Sequence, residues 1–514
     1  MTKLSSRRWE IFALFLVVVL LGTGSSLAAT PVASPVAAEL EPVLPDYQQV
    51  FAEHLGTMPG YELELTLDEN QSTIGGTMVV TFPNETGMTI DALPFRLYPN
   101  ASYYGEGGIS IDGIAIAGTV VSPRFDDSGT VLFVDLPRPL APGNSIAVSI
   151  DFTTVVPQNA GGSFGILNHD LTNGKFVLAD WYPIVAGWDE TGWRLEPPTD
   201  QGDPTFSMTS VYDVRLAVPA GYDVIASGEE SQQRDGSVHI ESGPVREFAM
   251  VAVQRLQVIS GQAGDTAISV HVDPLHEANG RHMLDVAVSA LAFYNDAFGP
   301  YPFRELDIVE TNLSLAYGVS WSGILFINQT QLDLAPDNLA TLDFTIFHEI
   351  GHQWWGAAIG ANSNDHTYMV EGLTNATALL AQAAVQGPDA AATSLYAWIV
   401  TPYLNLLAGS GDAVADVSIF DQPATAPLST LAYGKGGLGF LAIRNQIGND
   451  AFIDALAAYA DRFRLGIAEP ADLRAAFEAA SRQSLQDLWT FWFDSATTTP
   501  ADIEALVPQI VASL

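Results

Sequence analysis

The chain has 514 residues, of which 48% are hydrophobic and only 15% charged. That balance argues against extended disorder and for two or three domains, each with its own core. A net charge of −39, with 20 basic residues and no basic cluster past the N-terminus, argues against a nucleic-acid partner. The absence of cysteine excludes disulfides, a thiolate metal site and a lipoprotein-type anchor.

Residues 1–29 read as an export signal. Lys3, Arg7 and Arg8 form a basic start, Ile11 to Leu21 is an unbroken apolar run, and Ser26-Leu27-Ala28-Ala29 offers small residues for cleavage. The run is short for a membrane span, so membrane contact is expected only if this segment stays uncleaved. The expected location is extracellular or in the cell envelope. Residues 30–46, rich in Pro, Ala and Val, read as a tether.

Residues 47–275 read as a β domain. Tyr61, Leu63, Leu65 and Leu67 alternate with polar residues, as do Ile146, Val148, Ile150 and Phe152, and Val214, Leu216 and Val218. The period changes near residue 278, so residues 276–500 read as a second domain that becomes helical towards its end. Leu284, Val288 and Leu291 mark a helix stopped by Gly299-Pro300. A strand over 306–310 and an edge segment over 317–327 follow. Residues 501–514 are expected to be a C-terminal tail. The fold class is thus α+β.

Within the second domain stands His348-Glu349-Ile350-Gly351-His352, with Glu371 nineteen residues further on. On a helix, positions i and i+4 share a face, so both imidazoles reach one metal ion while Glu349 stands beside it. Two histidines and a carboxylate leave one tetrahedral position open, the ligand set of a catalytic zinc site with one ion. Leu342, Thr345, Ile346 and Trp355 continue the same stripe, and Trp354 and Trp355 anchor it. His366 lies outside the metal spacing and reads as a surface residue or one supporting a ligand, and His271, His276 and His282, around the expected domain junction, do not read as ligands. Trp181, Trp188 and Trp193 read as interdomain packing, with a role in lining a substrate cleft as the alternative.

HEIGHQWWG followed by VEG resembles the core motif of the aminopeptidase N family of zinc peptidases. FGPYPFRELDIVE, Tyr433-Gly434-Lys435-Gly436, SLQDLWTFWFD and DWYPIVAGWDETGW resemble further segments of that family, in the same order, over most of residues 47–500. The resemblance implies a saddle-like β-sandwich domain followed by a thermolysin-like catalytic domain, acting on a peptide substrate. It implies His348, His352 and Glu371 as ligands, Glu349 as general base and Tyr433 as the group that stabilises the oxyanion. Nothing in the sequence sets an oligomeric state.

One strand departs from the family. Relatives carry a glutamate that binds the substrate's free amino terminus. In Gly318-Val319-Ser320-Trp321 the matching residue is Ser320, and Val319 replaces a methionine. Gly318 and Ser320 are therefore expected to contact substrate, with several outcomes open. Another carboxylate (Asp189, Glu190 or Glu310) takes over amine binding and the protein is aminopeptidase-like. Alternatively it is an endopeptidase or other metal-dependent hydrolase with no need for a free amino terminus, or a peptide-binding protein that has lost catalysis.

Overall fold

The computed structural model describes residues 56–514, apart from 159–162, 190, 202–204 and 424. The export signal and tether expected over residues 1–46 lie outside the described residues.

Period-two patterning does what it should in the N-terminal half. Tyr61, Leu63, Leu65 and Leu67 are buried while Glu62, Glu64 and Thr66 face solvent. Their strand, Gly60–Asp68, lies at the centre of an eight-stranded sheet. It pairs antiparallel with Thr73–Pro83 and parallel with Ser210–Ala217. Two four-stranded sheets and a two-stranded one, Trp188–Asp189 with Gly192–Trp193, complete this half, and a shared apolar core lies within it. Trp181 is wholly buried in that core against Phe152 and Phe248, and Trp188 packs edge-on against Trp193. These tryptophans pack within the β half, not between the domains as had been expected.

A five-stranded sheet opens the C-terminal half, in the order Gln257–Ala263, Thr266–Val272, Glu305–Thr311, Ile324–Asn328, Gly318–Trp321. The first two strands had been expected in the β domain. Thr266–Val272 instead pairs parallel with Glu305–Thr311, so the change of sheet falls near residue 256 rather than 275. Alternation reports that a strand has a buried face and carries no information about which sheet it joins. The last strand, Gly318–Trp321, is an edge strand antiparallel to Ile324–Asn328.

The helix Glu277–Phe298 lies on this sheet and stops at Gly299 (φ 94°), as its glycine–proline signal predicts. Ala340–Gly351, here the motif helix, packs against it, with Trp354 stacked on Tyr294 and Trp355 edge-on to Phe298. The motif helix ends at Gly351, one turn earlier than the apolar stripe suggests. Residues 352–355 continue as a turn, with the Trp355 amide bonded to the Gly351 carbonyl. Helices dominate thereafter.

The expected C-terminal tail is also corrected. Pro500–Ser513 is a helix with a Thr499–Asp502 capping box. It buries Ile503, Val507 and Ile510, and Arg444 holds its last turn at Ser513. Ile503, Val507 and Ile510 follow the i, i+4, i+7 spacing of one helix face.

Candidate active site

A cleft of about 1040 Å³ runs between the two halves, lined by the motif helix, the edge strand and Tyr433. At its floor, His348 Nε2 and His352 Nε2 lie 2.9 Å apart. Glu371 Oε2 is 3.3 Å from the first and 3.2 Å from the second. Among the described residues this is the group of three that brings metal-ligand atoms within 4.8 Å of one another. His352 keeps its place after the helix ends because its own backbone is still helical (φ −62°, ψ −20°).

Protons decide what these atoms can hold. His352 Nδ1 lies 3.0 Å from the Trp355 carbonyl, which only accepts, so Nδ1 carries the hydrogen. Thr374 Oγ1, 3.2 Å away, gives its own proton to the Val370 carbonyl and so accepts from the same nitrogen. In the neutral ring, Nε2 is then a bare lone pair turned to the centre of the group. Glu371 Oε2 is buried there without an oriented hydrogen bond. Ligands about 2.0–2.1 Å from a tetrahedral ion stand about 3.3 Å apart, close to the spacings here. The donor set therefore fits a zinc ion.

The charges agree. Burial raises the Glu371 carboxyl, but the two imidazoles outweigh it and hold its pKa well below the ordinary range. Burial also works against a charged His352, yet the Glu371 and Glu349 carboxylates and the Trp355 carbonyl hold its pKa up at about 9. The pocket demands positive charge.

Glu349 is buried beside the cradle, and burial pushes its carboxyl up despite the neighbouring histidines. The edge strand passes close to it: a Cβ added at Gly318 would stand 2.6 Å from Glu349 Oε1, so only glycine fits. Tyr433 stacks on His348 with ring centroids 5.8 Å apart. It is brought there by two glycines. A Cβ at Gly372 would stand 2.8 Å from the Ala432 carbonyl oxygen, and one at Gly436 would stand 2.9 Å from Tyr368 Cβ. The ligand helix, Ser363–Gln386, can thus lie directly against the wide helical turn Thr430–Gly436. Lys435 is a buried strut on Asp412, the Ala413 carbonyl and the Ser495 carbonyl.

Gly318 and Ser320 both line the cleft, as expected of substrate-contacting residues. Of the carboxylates considered for amine binding, Asp189 and Glu310 are not among the lining residues. Asp189 is engaged by Arg194 and Asn362, Glu310 by His276 and the Asp273 amide, and Glu190 lies outside the described residues. The sequence reading missed Asp200 and Glu247, which line the cleft, and Gln353, which holds Ser320. Gln353 directly follows His352, and that adjacency was the available signal. His271, His276, His282 and His366 are paired with Asp307, Glu310, Asp343 and Asp416, apart from the metal group.

Comparison with known proteins shows similarity to peptidases. Residues 282–492 match the Peptidase family M1 domain. The chain is 27% identical to Aminopeptidase M1-B of Oryza sativa subsp. japonica, over 84% of its own length and 49% of the relative's. It is 22% identical to Aminopeptidase N of Acetobacter pasteurianus, over 68% of its own length and 97% of the relative's. It spans about half the length of the first curated relatives it matches. In fold it is similar to an M1 zinc metallopeptidase from Deinococcus radiodurans, with a TM-score of 0.58, 17% identity, and coverage of 86% of this chain and 96% of that one. Zinc is the metal this family implies.

Proposed function

From these similarities we propose that this chain is a member of the aminopeptidase N family and an exported zinc peptidase that hydrolyses peptide bonds near the amino terminus of its substrates. The observation that carries the proposal is the buried group of His348, His352 and Glu371 with Glu349 beside it in an open cleft.

The roles follow from the chemistry of each group. His348, His352 and Glu371 would hold one zinc ion, which supplies Lewis acidity to a carbonyl and lowers the pKa of water. Glu349, its pKa raised by burial, accepts the proton of the attacking water and returns it to the leaving nitrogen. The Tyr433 hydroxyl donates to the oxygen on which negative charge develops, which favours the transition state over the substrate. The edge strand Gly318–Trp321 offers its outer backbone edge to an extended peptide, as sheet edges do. Residues 1–29 as export signal and 30–46 as tether would put the activity outside the cytoplasm.

Chelation followed by metal replacement tests the proposal. Peptide hydrolysis should disappear when the protein is stripped and return with one equivalent of zinc. Hydrolysis that survives complete removal of the metal would sink it. Amino-terminal sequencing of the protein recovered from culture medium or cell envelope tests export, with a new terminus near residue 30 expected.

A further inference from the structure

We infer that Ser320 presents a hydrogen-bond donor to the substrate beside the reaction centre, so that this subsite takes a carbonyl oxygen, such as that of an acylated or upstream residue, in preference to a free ammonium. The inference rests on the peptidase reading above and refines its substrate class.

The Gln353 amide is wholly buried and its orientation is fixed. Its Oε1 accepts the Gly323 amide at 3.0 Å, and its Nε2 donates to the Trp321 carbonyl at 2.8 Å. Exchanging the two atoms would set carbonyl against carbonyl and N–H against N–H. The second hydrogen on Nε2 goes to Ser320 Oγ at 2.7 Å. A serine hydroxyl that accepts this bond keeps its own hydrogen for another acceptor. Ser320 lines the cleft, so that acceptor can be substrate.

Its position matters as much as its proton. Gly318 lies against Glu349, and Ser320, on the same face of the strand, lies against Gln353, four residues past Glu349. Two strand residues span about 6.6 Å, so Ser320 stands within about two peptide residues of the group that handles the proton. An aminopeptidase carries the ammonium on the residue whose carbonyl is attacked, within reach of this same wall. The wall offers a neutral donor there. Of the other cleft carboxylates among the described residues, Glu349 and Glu371 belong to the metal chemistry and Asp200 is exposed. Glu247 is next to the buried Arg246, whose guanidinium bonds only to carbonyls, and its charge offsets that cation.

Matched peptides with free or acetylated amino termini, given to the zinc-loaded full chain, read this subsite. The acetylated peptide should be cleaved with kcat/KM at least equal to that of its free counterpart. Ser320→Ala should lower kcat/KM for the acetylated peptide by about 2- to 12-fold, the worth of one neutral hydrogen bond. Ser320→Glu should shift the preference towards the free amine by about 10- to 100-fold. Cleavage confined to the free peptide, with the preference abolished by Glu247→Gln, would overturn the inference. Calorimetric binding of both peptides to zinc-loaded Glu349→Gln separates this question from turnover. Equal or tighter binding of the acetylated peptide without any turnover in the parent would leave the subsite standing and remove only the peptidase reading. Tighter binding of the free peptide would overturn the subsite.

Discussion

The floor of the cleft and its wall are built on different terms. The floor (His348, His352, Glu371 and Glu349) is buried, charged and held by close backbone contacts through Gly318, Gly372 and Gly436. The wall at Ser320 is half-buried and neutral, and it is held by one glutamine whose four polar contacts are all short. In the proposed function, metal binding and proton transfer fall to the floor and substrate contact to the wall, and Gly318 is where the two meet.

The sharpest way to break this contrast is to remove a floor ligand. Glu371→Ala should reduce zinc affinity by more than the about 10- to 100-fold that losing a supporting partner costs, and abolish hydrolysis. Metal content after dialysis measures it; zinc retained at one equivalent would show that Glu371 is no ligand. Tyr433→Phe keeps the ring on His348 and removes only the hydroxyl, so kcat should fall about 100- to 1,000-fold with zinc content unchanged. An unaltered kcat would remove Tyr433 from the chemistry. Gly318→Ala probes the contact between floor and wall. The added methyl must displace Glu349 or the strand, and a displacement of about 1 Å at the reacting groups can cost about 100-fold in rate. Activity equal to the parent would mean that the strand yields freely.

The smallest effect lies away from both regions. Burial lowers the His366 pKa, but Asp416, Glu469 and Asp365 outweigh it and the net shift is upward. A raised folded pKa stabilises fully below the unfolded value near 6.5, and the contribution is lost as pH rises through the folded value. The Tm deficit of His366→Gln should therefore be larger at pH 6 than at pH 9. A deficit independent of pH would mean that the His366–Asp416 contact acts through packing alone.

The same contrast governs what could be read from the sequence. His348, Glu349 and His352 announce themselves because helix geometry turns a spacing of four into proximity, and no tertiary knowledge is needed. Tyr433 came from resemblance, since nothing local says that a helical turn 85 residues later meets His348; only Gly372 and Gly436 hint at the close crossing. The partner of Ser320 was not legible, because Gln353 reaches it across 33 residues through a sheet edge. Residues 257–272 fell inside the expected β domain but pair with the sheet of the second half, since alternation is blind to which neighbour completes the ladder.

The most direct test of the central claim compares the parent with Glu349→Gln, both loaded with one equivalent of zinc, by mass spectrometry of the products from one peptide. The parent should yield peptide products, and the variant should form them about 100- to 10,000-fold more slowly at equal metal content. Products formed at the parental rate by Glu349→Gln would contradict the claim.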